Sequence, residues 1–165
     1  MSTLLEKQIK VNRIVTTNIG HARAIDDPAR AKIVEILYHQ ALSADQISTA
    51  LKKTGYKKAL TTVRHHLEIL KVSGLIEIAR IEESRGAITK FYSTSTKLLD
   101  FQTPEDFDST YSKIINNTST KIEKLVKGLT PKTTKGKKSV EYSQYIVMEI
   151  MNRAMTNVLE KSGTK

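Results

Sequence analysis

Apolar residues recur along this chain first at helical spacing, then in strand-like alternation, then at helical spacing again. Leu4, Leu5, Ile9, Ile14, Val15 and Ile19 mark an N-terminal helix over residues 1–20 that breaks before Gly20. In DDPARAKIVEILYHQ, Asp27 is placed to cap a helix, and Pro28 takes the first helical position, where a missing N–H costs nothing. Ile33, Val34, Ile36 and Leu37 give that helix a broad apolar face, typical of an element covered by neighbours. In LSADQISTALKKTG, Ser43 and Gln46 form a capping box, Ile47, Ala50 and Leu51 make the buried stripe, and Gly55 ends the helix. After the connector YKKA, a third helix is predicted from about Leu60 to Ser73, stopped by Gly74.

Beyond Gly74 the period changes. LIEIARIEESRGAITKFYSTS is rich in β-branched and aromatic residues and is interrupted by ESRG. It predicts a hairpin with strands near 75–82 and 87–94 and a turn near Ser84 to Gly86. The last third is helical again. Phe107, Tyr111, Ile114, Ile115, Thr118, Ile122, Leu125, Val126 and Leu129 recur at spacings of three and four, a narrow seam resembling a coiled-coil contact. TPKTTKGKKS, residues 130–139, is a polar, basic linker. A final helix over about 140–161 carries Val140, Ile146, Val147, Ile150, Met151, Ala154, Val158 and Leu159. No internal repeat stands out.

Charge narrows the list of partners. With 27 Lys and Arg against 17 Asp and Glu, the formal charge is +10, which predicts attraction to a polyanion. The absence of cysteine excludes a disulfide framework, thiolate metal sites and cysteine redox sensing. Glu6, Lys7, Lys10 and Arg13 interrupt the first apolar pattern, so no secretory core is present. The longest nonpolar run, Tyr145 to Met148, is far short of the roughly 20 residues that span a bilayer. These features predict a cytoplasmic, nucleoid-associated protein that does not enter membranes. Enzyme signatures are absent: KGKKSV echoes a phosphate-binding loop, but its glycine spacing is wrong and no strand precedes it. Asp26 and Asp27 read as capping groups at a helix start rather than an acid–base pair. No cofactor motif appears.

Three short helices followed by a hairpin define a winged helix-turn-helix, in which the second helix of the pair enters the major groove and the hairpin meets the flanking backbone. The fold class is therefore mainly α with a small β-hairpin, plus an N-terminal helix and two C-terminal helices. On the third helix Val63, His66, Leu67 and Leu70 form the buried stripe, with Ile69 at its border. The opposite face holds Thr61, Thr62, Arg64, His65, Glu68 and Lys71. An arginine here suits a bidentate contact to guanine, worth roughly 1–3 kcal/mol of discrimination. Lys57 and Lys58 before the helix, and Arg80, Arg85 and Lys90 on the wing, complete the expected DNA contacts, while Glu82 and Glu83 oppose them. Adjacent helical residues diverge by about 100°. His66 is thus expected half-buried and hydrogen-bonded across the helix-turn-helix, with His65 facing the groove or solvent.

DDPARAKIVEIL, LSADQISTAL and TTVRHHLEILKVSGLIEIAR, with a hairpin ending KFYSTS, resemble the ArsR-like winged-helix regulators, particularly their archaeal branch. The resemblance covers about residues 21–96 and leaves out the C-terminal helices. It implies DNA-binding transcriptional regulation, with His66 on the structural face and Thr61, Thr62, Arg64 and His65 toward DNA. Many members sense metals through cysteine, which this chain lacks. His21, His39, His65 and His66 offer no H-x-x-x-H pair, so no metal site is expected.

A domain plan follows: the N-terminal helix at 1–20, a DNA-binding domain at 21–99, and a helical dimerisation region at 100–165. Tyr111, Ile115, Ile122, Leu125, Ile150, Met151, Ala154 and Val158 are the expected dimer contacts. The alternative is that the two C-terminal helices fold back on the domain. The function expected is sequence-specific binding of double-stranded DNA by a homodimeric transcriptional regulator. An architectural DNA-binding protein and a winged-helix protein-interaction module are the alternatives. A pocket between the C-terminal helices and the winged domain has scope for a small molecule, but no residue pattern argues for one.

Overall fold

A computed structural model describes residues 18–129 and 140–162. The expected N-terminal helix, up to residue 17, and the basic linker 130–139 lie outside the described residues. The described chain divides into two compact units, one up to Phe101 and one from Gln102 onward.

In the first unit capping groups set most of the helix ends. α1 (Ile19–Ile25) begins where the sequence pattern placed a break. Asn18 accepts the N–H of Gly20 at 2.8 Å and of His21 at 3.4 Å, so the apparent breaker lies inside a first turn. α2 (Pro28–Ile36) is capped as expected, with Asp27 Oδ1 accepting from Ala29 N at 2.8 Å and Arg30 N at 3.3 Å. Arg30 ties α2 to the end of α1, donating from Nε to the carbonyl of Ala24 and from a terminal nitrogen to that of Arg23. α3 (Ala44–Lys53) carries the expected capping box: Ser43 Oγ accepts from Gln46 N at 3.3 Å, and Ser43 N donates to Gln46 Oε1 at 2.9 Å.

α3 and α4 (Leu60–Val72) end alike. Gly55 and Gly74 take φ of +93° and +78°, and the next N–H reaches back to Leu51 and to Leu70, each at 3.0 Å. This is the Schellman stop, and only glycine adopts that backbone without penalty.

β2 (Ile76–Ser84) and β3 (Ala87–Thr94) form the expected hairpin, each strand within about two residues of its predicted bounds. Arg85 and Gly86 have φ of +50° and +78°, the paired left-handed geometry of a two-residue turn whose twist matches its strands. Sequence reasoning missed a third strand, β1 (Leu42–Ser43), which pairs antiparallel with β3 through Leu42–Tyr92 and Ser43–Phe91. The sheet order is β1-β3-β2.

The core lies where the helices meet the base of this sheet. Ile33, Val34 and Leu37 interlock with Ile47, Leu51, Val63, Leu67 and Leu70, closed by Leu75 and Ile76, and all are solvent-free or nearly so. The architecture is a winged helix-turn-helix: mainly α, with a small antiparallel sheet.

The second unit holds α5 (Phe107–Leu129) and α6 (Val140–Ser162), each 23 residues, within a residue or two of the predicted bounds. No described helix is long and apolar enough to cross a membrane.

Candidate nucleic-acid interface

α4 is divided lengthwise by burial. Val63, Leu67 and Leu70 are buried as expected, His66 is buried beside them, and Ile69 is partly covered. Thr61, Arg64, His65 and Glu68 are exposed, while Thr62 and Lys71 are partly buried. The N-cap residue before Leu60 is Ala59, which offers no side-chain cap. The first N–H groups of the helix therefore point out unsatisfied beside Thr61 and Thr62, an arrangement suited to a phosphate oxygen. Lys57 is exposed just upstream and Lys58 partly buried. Lys71 instead serves the helix itself: its Nζ lies 2.8 Å from Glu68, and that hydrogen bond raises the Lys71 pKa.

His65 and His66 diverge as helix geometry requires, with ring centroids 6.5 Å apart. His66 departs from expectation. It is 6% exposed rather than half-buried, and neither ring nitrogen has a hydrogen-bond partner among the described atoms. A neutral imidazole carries one donor and one acceptor, and leaving such groups unmet costs about 1–3 kcal/mol each. Burial holds the His66 pKa below its ordinary value. Arg30, Lys58 and His65 push the same way, and Asp27 opposes them. Burial, not a hydrogen bond among the described atoms, holds this side chain. Among the described residues no three His, Asp or Glu side chains gather as a metal site would need.

On the wing, a bulge between Ile78 and Arg80 resets the strand alternation. It pairs Arg80 with Phe91 across the strands, so the guanidinium lies 4.1 Å from the ring centroid and Nε sits 3.1 Å from Glu82. Arg80 is thus held by its own chain. Arg85 stands at the turn, exposed, and Lys90 is exposed opposite Ile81. Beyond the bulge Ile81, Glu83, Ile88 and Lys90 share the face opposite Phe91.

Sequence reasoning overlooked one neighbour of this surface. A groove of about 440 Å3 runs between α1 and α4, lined in part by Gly20, Arg23, Ala24, His65, Glu68 and Val72. Arg23 and His65 both line it. The available signal was Asn18 two residues before Gly20, a cap that announces a new helix.

The expected dimer contacts lie on α5 and α6. Tyr111, Ile115, Leu125, Ile150, Ala154 and Val158 are exposed, while Ile122 and Met151 are partly covered. Tyr142, Tyr145 and Met155 are further exposed apolar side chains on α6.

No protein-family model matches the chain, nor does any curated protein sequence. Solved structures of similar shape include HlyU from Vibrio cholerae, at 18% identity over 58% of this chain and 85% of that one, TM-score 0.37. Another is a homodimeric winged helix-turn-helix DNA-binding domain from Mycobacterium bovis, Mb0332, titled a possible ArsR-family regulator. It shows 21% identity over 63% of this chain and 80% of that one, TM-score 0.36. Bacillus subtilis PadR, in complex with operator DNA, is 12% identical over 82% of this chain and 96% of that one, TM-score 0.37.

Proposed function

We propose that this protein is a transcriptional regulator that binds double-stranded DNA sequence-specifically as a homodimer. The observation that carries the reading is the outer face of α4. Thr61, Arg64 and His65 stand exposed beside uncapped N–H groups, on the face away from the helix's buried stripe. In this role Arg64 and His65 read base edges, while the N-terminal turn, Lys57 and Lys58 hold phosphates. Arg85 reaches the flanking backbone or minor groove from the tip of the wing, with Lys90 behind it. Arg80 and Lys71, each engaged within the chain, shape the surface more than they contact DNA. In the plan this reading implies, residues 21–99 bind DNA and 100–165 dimerise. Two winged domains held by the C-terminal helices read half-sites about 34–36 Å apart.

Site selection from random duplexes, followed by competition with unrelated DNA, tests the reading. A selected site should win by about 4–10 kcal/mol, the usual margin of specific over non-specific binding. Equal binding to all duplexes points to an architectural protein. No binding at low salt points to a protein-interaction module.

A further inference from the structure

α1 runs back along α4 toward the end at which α4 starts. A side chain on Gly74, just past the last turn of α4, would begin 3.9 Å from His21 Nε2, so the first turn of α1 lies at that far end. Asp27 and Arg30, which follow α1, and Lys58, which precedes α4, all lie near enough to His66 to shift its protonation. The corner between α1 and α2 therefore stands toward the N-terminal half of α4, on the side of Lys58.

Arg23 sits in the last turn of α1, beside that corner, and is exposed. It lines the same groove as His65, which stands on the open face of α4. Its backbone is held. Arg30 donates to the carbonyl of Arg23 at 3.2 Å and to that of Ala24, and Ala24 is buried in the core. Its guanidinium is not held. Arg30, Lys32, Lys71 and Arg80 each meet a carboxylate of their own chain, at Asp27, Glu35, Glu68 and Glu82. Among the described residues Arg23 meets none.

A cation in a last turn is favoured by the helix dipole, but seven residues build little of one, and two of the last carbonyls already have Arg30. Asp26 is exposed at the same corner, so the corner offers a polyanion one arginine and not a basic patch. A helix lying in a major groove about 12 Å wide has a ridge of phosphates on either side. An element packed beside α4 near its N-terminal half meets such a ridge, and a cation there that no carboxylate engages is free to take one phosphate.

We propose that α1 is a third DNA-contacting element, in which Arg23 grips a backbone phosphate on the ridge beside the groove that α4 enters. The proposal rests on the DNA-binding reading above and adds a contact that carries affinity without base preference.

The full chain is titrated with a selected duplex and with an unrelated one across a salt series. Arg23→Gln should weaken both by the same factor, several-fold at about 0.1 M salt, and reduce the salt slope by about 0.9, the loss of one phosphate contact. Arg23→Lys should keep the slope. Lys32→Gln removes a charge that Glu35 already engages on α2, and should leave the slope unchanged. The full chain has no cysteine, so Arg23→Cys carrying an iron chelate on its one thiol should cut the DNA backbone at the flank of the site. Should Arg23→Gln prove less stable in urea, the cleavage pattern decides. An unchanged slope in Arg23→Gln, a loss matched by Arg23→Lys or Lys32→Gln, or no cleavage at the flank overturns the proposal and leaves DNA binding by α4 standing. A chain that binds no duplex at low salt removes both.

Discussion

Ile33 and Val34 on α2 with Leu37 at its C-cap, and Ile114, Ile115 and Leu125 on α5, are the same kinds of side chain, yet water treats them differently. The first three are fully buried, and the second three stand 62, 42 and 58% exposed. The difference lies in how the helices are built. α2, α3 and α4 are 9, 10 and 13 residues long, and each turns a buried face to its neighbours. α5 runs 23 residues, about 34 Å, with a stripe too narrow and too long for a small core to cover. Burying one such aliphatic side chain stabilises by roughly 1.5–3 kcal/mol, and α5 leaves several of these contributions unrealised among the described residues. The buried core cluster lies in the winged unit, and α5 contributes no residue to it.

The sharpest way to break that contrast is to cut the inward core. Leu67→Ala should cost about 2–5 kcal/mol in urea unfolding, independent of protein concentration. A cost that faded at high concentration would show that the winged unit also depends on association. Arg64→Ala should next leave folding and sedimentation unchanged while costing about 1–3 kcal/mol of preference for one base pair in competition binding. Arg85→Ala should instead weaken all duplexes alike and reduce the salt slope of binding by about 0.9. Ser43→Ala removes a cap and should cost about 1 kcal/mol of stability in the winged unit alone.

The smallest effect is a dependence on pH. The folded His66 resists protonation, whereas in the unfolded chain it titrates near its ordinary 6.5. As pH falls below that value the unfolded state takes up a proton the folded state refuses, so stability drops until the lower folded value is reached. His66→Leu should abolish this part of the pH dependence in denaturant titrations between pH 7.5 and 5 while leaving the fold intact. A variant as acid-sensitive as the original would show that His66 is not the group responsible.

What could be read from the chain was local chemistry. Asp27 with Pro28, Ser43 with Gln46, and Gly55 and Gly74 mark helix ends through bonds made within a few residues, so α2, α3 and α4 were legible nearly to the residue. The split of α4 into buried and open faces followed from its period. What escaped depends on residues far apart in sequence. β1 is two residues long and exists only because β3 passes beside it. The engagement of Arg80 depends on a one-residue bulge that turns it onto Phe91. The unmet nitrogens of His66 reflect burial beside groups distant in sequence, Asp27 and Arg30 among them, which no spacing rule displays. α1 was hidden for a different reason: Ile19 extended the preceding apolar pattern and drew attention from the cap at Asn18.

Ser43 occupies two structures at once, closing β1 against Phe91 and opening α3 through its hydroxyl. A load applied to the tip of the hairpin therefore has a rigid route: down β3 to Phe91, across one rung, and into the first turn of α3. Hairpin and helix pair behave as parts of a single lever, with this serine as its pivot pin. The tilt of one cannot be trimmed without turning the other.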